Sequence, residues 1–186
     1  MYILSDSVKN EIQKAGRVTD SMRENEFCNV EWQLIRDTLE GNGLDRHMPI
    51  ELRSTEIAVV TPLGIMMQIR PEDDNKLGVW GGLLEDGEFT KECAVRRLFE
   101  ETGIFVEREQ LTFAGVEEHL HEYANGDKVI FEAYRYVLKL YKIPVLDPSA
   151  EATGVVFIKS VNEKILEQLF EHQKSFIDKV IRTVKL

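Results

Sequence analysis

Cysteine is nearly absent: Cys28 and Cys93 are the only two, far apart, too few for a disulfide framework and without the close pairing of a structural zinc site. A reducing, cytoplasmic setting is therefore expected. Apolar runs stop at about four residues, as at 57–60, well short of the ~20 that cross a bilayer as a helix. The first nine residues, Met-Tyr-Ile-Leu-Ser-Asp-Ser-Val-Lys, hold no basic stretch leading into an apolar one. Neither a leader nor a membrane-spanning helix is expected. Positive charge is the scarcer sign, with 23 Lys plus Arg against 33 Asp plus Glu and a net charge of −10. Such a field repels nucleic-acid backbones and anionic lipid surfaces, so no nucleic acid and no membrane are expected as partners. A phosphate-bearing ligand would need cations to hold it. Internal repeats and low-complexity tracts are also missing. With 43% hydrophobic and 30% charged residues among 186, the composition excludes collagen-like and disordered chains.

What is present divides near residue 50. Residues 1–50 are rich in charged and amide side chains, with Val8 and Ile12, then Val30, Leu34, Ile35 and Leu39, at helical separations. They read as a helical amino-terminal extension of two amphipathic helices, stopped at Glu40-Gly41-Asn42-Gly43. Residues 51–186 form the main domain. Between 55 and 69, the β-rich runs 57–60 and 65–69 flank Pro62-Leu63-Gly64, which predicts a hairpin. Residues 70–88 read as a glycine-rich loop, and 89–102 as a helix with Gly103 at its left-handed cap. Residues 111–122 and 128–140 read as strands joined around Asn125-Gly126, and a shorter strand at 154–158 follows Asp147-Pro148-Ser149-Ala150. One closing helix is predicted over 161–184, with Ile165, Leu169, Phe176, Val180 and Val184 on its apolar side.

The chemistry concentrates between Gly81 and Ile104. On a helix, positions 97, 100 and 101 are three and four residues apart and emerge on one face, and two of the three are glutamates. Adjacent carboxylates repel unless something positive lies between them. Hard divalent cations prefer such oxygen donors, so Glu100 and Glu101 point to a metal site. Taken piecemeal, the same residues could be a solvated face of ordinary ion pairs, Arg96 with Glu100 and Arg97 with Glu101. The full spacing with Gly82, Glu88 and Gly103 favours the site.

That spacing resembles the box of the Nudix family: Gly82, five residues, Glu88, seven residues, then Arg96, Leu98, Glu100, Glu101, Gly103 and Ile104, eight of the nine defined positions. The resemblance covers about residues 55–183. It implies an α/β/α sandwich with a mixed sheet, and attack of water on a small-molecule diphosphate substrate, usually linked to a nucleoside. It also implies Mg2+ or Mn2+ as cofactor. Carried over by position, Glu100, Glu101 and the carbonyl of Gly81 are metal ligands. Arg96 pairs with Glu88, fixing the loop against the helix, and Glu151 is the best-placed later acid to complete a catalytic set of Glu100, Glu101 and Glu151. Gly82, Glu88, Arg96 and Gly103 are structural residues of the box. A homodimer is the oligomer the family often forms.

The ninth position departs from the family, which has Glu after the box arginine where this chain has Arg97. A guanidinium cannot act as a base, and its permanent charge opposes a nearby divalent cation. Two functions follow. In one, Arg97 swings out or contacts a substrate phosphate, Glu100 and Glu101 keep a metal, and Glu117, Glu118, Glu132 or Glu151 supplies the base. In the other, Arg97 takes the place of the metal's charge and the domain binds a nucleotide-like ligand or a partner without hydrolysing it.

The remaining features have plainer readings. His119 and His121 share a strand face but lack an evident third ligand, so an exposed or partner-facing strand is expected. Trp80 is expected to pack under the loop, and Cys93 to be a small buried residue. Residues 72–143 contain no proline, so the proline that follows the box in many ADP-ribose hydrolases is missing, and Tyr123 only loosely matches the tyrosine of dinucleoside polyphosphate hydrolases. The substrate class goes no finer than a nucleoside diphosphate or triphosphate derivative.

Overall fold

Alternation of side chains along the first two strands builds two cores, one on each face of a sheet. A computed structural model of the chain describes residues 37, 39–45, 49–85, 87–122, 128–147 and 154–184. Strand β1 (Ile50–Thr61) turns back at Pro62-Leu63 into β2 (Gly64–Arg70), with Thr61 opposite Gly64 and Val59 opposite Met66. Because successive side chains point to opposite faces, Ile57, Val59 and Met66 enter one core while Ala58, Val60, Ile65 and Met67 enter the other. The hairpin is as the sequence suggests, though its first strand begins earlier.

The other strands are β3 (Lys76–Gly78), β4 (Trp80–Leu83), β5 (Leu111–Glu122), β6 (Lys128–Lys139) and β7 (Val155–Ile158). They make a mixed seven-stranded sheet in the order β3-β2-β1-β6-β5, with β4 also paired to β1 and β7 to β2. Helix α1 (Thr90–Thr102) covers one face through Ala94 and Leu98. Helix α3 (Glu171–Val184) covers the other through Phe176, Ile177 and Val180. Each of these side chains larger than Ala94 contributes about 1.5–3 kcal/mol when fully buried.

Two expectations need correction. Residues 70–88, read as loop, contain β3 and β4, because pairing of Gly81 and Gly82 with Glu56 and Thr55 outweighs the low strand preference of glycine. The single closing helix is two: α2 (Glu163–Gln168) ends where Leu169 turns extended and bridges Leu77 before α3 begins. Leu169, Phe176 and Val180 still share one apolar cluster, with Ile165 and Val184 at its margin. Burial of Leu169 against the sheet therefore takes precedence over helix continuity.

Apart from residues 50–52 of β1, 120–122 of β5 and 128–131 of β6, these layers belong to one compact unit, Arg53–Leu84, Phe89–His119 and Glu132–Leu186. In a second unit, which includes Glu85–Glu88 and Leu120–Phe131, the helical residues 39–41 end with the amides of Asn42, Gly43 and Leu44 returning to Leu39 and Glu40 carbonyls. That is the stop expected at Gly43, whose φ is 71°. The helices expected around Val8, Ile12, Val30, Leu34 and Ile35 lie outside the described residues, as do Cys28, Tyr123 and the turn expected at Asn125-Gly126. Among the described residues, no helix is long and apolar enough to cross a membrane.

Candidate functional site

The site is built where β4 meets α1. Gly81 has φ 144°, and a Cβ there would come within 1.9 Å of the Thr55 carbonyl oxygen, so only glycine lets β4 lie this close to β1. Trp80 anchors the strand beneath it, fully buried, with Nε1 donating to the Met66 carbonyl at 2.9 Å. Cys93 is likewise buried, its thiol 3.3 Å from the Leu83 carbonyl. Both are packing residues, as expected.

Helix α1 starts after Phe89, whose amide donates to the Glu92 carboxylate, and ends at Gly103 with φ 74° and its amide donating to Phe99. A side chain at Gly103 would strike Asp147, whose Cβ stands 2.5 Å from the position a Cβ would take. Between these caps, Arg96 donates from Nη2 to the Leu83 carbonyl at 3.1 Å and from Nη1 to Glu100, tying the helix to β4. Glu88 lies in the second unit, where its carboxylate accepts from the Glu85 amide at 2.9 Å.

Glu100 and Glu101 converge on one cation, and that cation is Arg97. Its Nη1 donates to Oε2 of Glu100 at 2.9 Å and its Nη2 to Oε1 of Glu101 at 3.2 Å. The second Glu101 oxygen accepts from the Gly81 amide at 3.1 Å, and both Glu100 oxygens also face Nη1 of Arg96. Every carboxylate oxygen of the pair thus has a donor. The Glu101 side chain is only 8% exposed, and a charge so buried needs a partner. Gly82 makes room for this arrangement: a Cβ there would sit 2.4 Å from Arg97 Nε.

The model of the NUDIX domain family matches residues 54–177, more than half of the chain. The chain belongs to the Nudix family. Solved structures agree on the fold of this Nudix chain. It is similar to the MutT protein from Methanosarcina mazei Go1, with 20% identity over 74% of this chain and 98% of that one and a TM-score of 0.52. A C. elegans Ap4A hydrolase in a binary complex gives 15% identity, 72% and 98% coverage, and a TM-score of 0.53. A bifunctional NMN adenylyltransferase/ADP ribose pyrophosphatase from Francisella tularensis, complexed with AMP and Mn ion, gives 19% identity and a TM-score of 0.56. The Nudix chain covers 49% of that longer protein, with 83% of its own length aligned.

Among the later acids, Glu151 lies outside the described residues. Glu117 is drawn away from α1: it pairs with Arg135, which in turn holds Glu56 at 2.7 Å under α3. The cause is Gly115, at φ 135°. Ala114 packs on the α3 side, and so do Glu117 and His119, which strict alternation would not permit, so the strand changes phase at this glycine. His119 stacks on His172 with ring centroids 3.9 Å apart, and the side chain of His121 lies outside the described residues. Glu118 is exposed, and Glu132 stands at Tyr134, where burial and then the Glu132 charge push the phenol up. Among the described residues, no three His, Cys, Asp or Glu side chains form a metal-binding group.

Sequence reading missed the buried set under α3. Glu56, Arg135 and Gln173 are buried, with Gln173 donating to Glu56 at 2.9 Å and His172 Nε2 at 3.3 Å from the same oxygen. Burial would raise the Glu56 carboxyl, but the hydrogen bond from His172 and the charge and hydrogen bond of Arg135 together hold it below its ordinary value. Its signal was an acid directly before the apolar run 57–60 and an arginine between Tyr134 and Tyr136.

Proposed function

We propose that this Nudix chain hydrolyses a nucleoside diphosphate-linked or similar diphosphate metabolite by attack of water at phosphorus. Mg2+ or Mn2+ would be held by Glu100, Glu101 and the carbonyl of Gly81. The observation that carries the reading is the convergence of both glutamates on a single cation seat beside Gly81 and Gly82 of β4. The donor set suits a hard divalent ion, being two carboxylates and a backbone carbonyl. Arg97 is a stand-in cation in that seat, so the fit requires its guanidinium to leave. A divalent ion held by these residues would neutralise the diphosphate, polarise a phosphoryl oxygen and lower the pKa of the attacking water.

The chain's own residues supply the rest. Arg96 fixes the helix against β4 through the Leu83 carbonyl, so that Glu100 and Glu101 keep their orientation. Displaced Arg97 is a planar donor suited to a phosphate. Glu151 is assigned as the acid that completes the site and takes the proton of the attacking water. As that water oxygen bonds to phosphorus, the bridging P–O bond breaks and its electron pair leaves with the second phosphate.

The seat occupied by Arg97 favours a second reading, in which the domain binds a nucleotide-like ligand without hydrolysing it. Phosphate release over a panel of nucleoside diphosphate derivatives, with Mg2+ and with Mn2+, decides between them. Metal-dependent release from any member supports hydrolysis. Saturable nucleotide binding with no release from any member supports recognition alone.

A further inference from the structure

The charge reversal at position 97 does more than delete a family ligand. The guanidinium lies on the same carboxylate oxygens that a divalent ion would need, and it is tethered to the helix that carries them. Arg97 stands three residues before Glu100 and four before Glu101, the two spacings at which helical side chains meet. It therefore reaches the seat without the translational cost a free ion meets. The Arg97 side chain is 16% exposed, so solvent screens the contact only in part. The missing side chain at Gly82 leaves the space the guanidinium fills. Two cations cannot share the seat, because a +1 and a +2 charge a few ångströms apart repel strongly in a partly buried site.

We infer that Arg97 is a built-in competitor for the metal, a tethered cation that keeps the site metal-free at rest and sets the concentration at which a divalent ion enters. This rests on the metal-site reading above and adds a regulation of that site. The competition costs metal affinity and supports the apo fold, since Arg97 compensates the buried charge of Glu101. Removing the guanidinium should therefore move apo stability and metal affinity in opposite directions.

The test is calorimetric titration of the full chain with Mn2+ alone, wild type beside Arg97→Gln and Gly82→Ala, with thermal melting of each in EDTA and in Mn2+. Arg97→Gln is expected to bind Mn2+ tighter than wild type by about tenfold or more. It should also melt lower than wild type in EDTA and gain more from added Mn2+. Gly82→Ala leaves every charge in place but sets a methyl against the guanidinium, and should tighten Mn2+ binding in the same direction. Equal Mn2+ affinity in wild type and Arg97→Gln overturns the competition and leaves the metal site standing. Absence of saturable binding in all three overturns the metal-site reading, and the competition with it.

Discussion

Arg135 donates from Nε to Oε2 of Glu56 at 2.7 Å, on the face of the sheet opposite the box helix, although the two residues are 79 apart in the chain. Both side chains are buried, at 6% and 8% exposure, and the same guanidinium reaches Glu117 and the His172 carbonyl. One cation thus joins β1, β5, β6 and the start of α3. Such a pair adds little net stability over an apolar replacement, but losing one member leaves a buried charge without its counterpart. Arg135→Leu is expected to cost about 3–5 kcal/mol in urea unfolding, and Glu56→Gln in the same background should recover part of it. Additive losses in the double variant would show that the two residues are not coupled.

The lowered Glu56 carboxyl makes part of this stability depend on pH. Its folded value lies below the ordinary 4.5, so the contribution is present above that value and is lost as pH falls through the folded one. The unfolding free energy of wild type should decline as pH drops below about 4.5, and Glu56→Gln should decline less steeply there. Parallel curves for the two proteins would remove Glu56 from the acid limb.

Adjacent glycines of β4 should respond differently to alanine. At Gly81 the methyl would meet the Thr55 backbone, and φ is 144°, so Gly81→Ala should lose at least about 1–3 kcal/mol and speed amide exchange over residues 80–83. At Gly82 the atoms nearest the methyl belong to the flexible end of Arg97, the closest 2.4 Å away. That side chain can move, so Gly82→Ala should melt within a few degrees of wild type. A loss at Gly82 as large as at Gly81 would show that backbone, not Arg97, limits that position.

Glu101 holds the seat from below, with one oxygen on Arg97 and the other on the Gly81 amide. Glu101→Gln keeps the shape and removes the charge. Whatever metal-dependent turnover the phosphate-release panel detects should fall by at least about 100-fold, with the fold confirmed by its melting curve. Turnover that survives this change places the reacting metal elsewhere.

Much of the box was legible before the fold was known, because its information is local. Helix spacing puts Arg97, Glu100 and Glu101 on one face, and Gly103 marks the end of α1 by the conformation it alone adopts cheaply. The hairpin at Pro62-Leu63 is likewise written in alternation and turn residues, and β5 and β6 fall where their strand-rich runs place them. Glycines hid β4, since a strand made of Trp80-Gly81-Gly82-Leu83 is held by its partner rather than by its own preference. The break at Leu169 was hidden for a similar reason, as its cause is a contact with Leu77 far away in the chain.

By itself, then, the sequence determined the family, the helix that carries the acids and the reversal of charge at Arg97, all consequences of side-chain identity at short separations. Only the tertiary structure decided where that charge goes. A guanidinium can turn to solvent, to substrate or to its neighbours, and the choice depends on the burial of Glu101 and the space left by Gly82. It also decided that Glu117 faces Arg135, because the phase of the strand beyond Gly115 is set by what the next side chains can pack against.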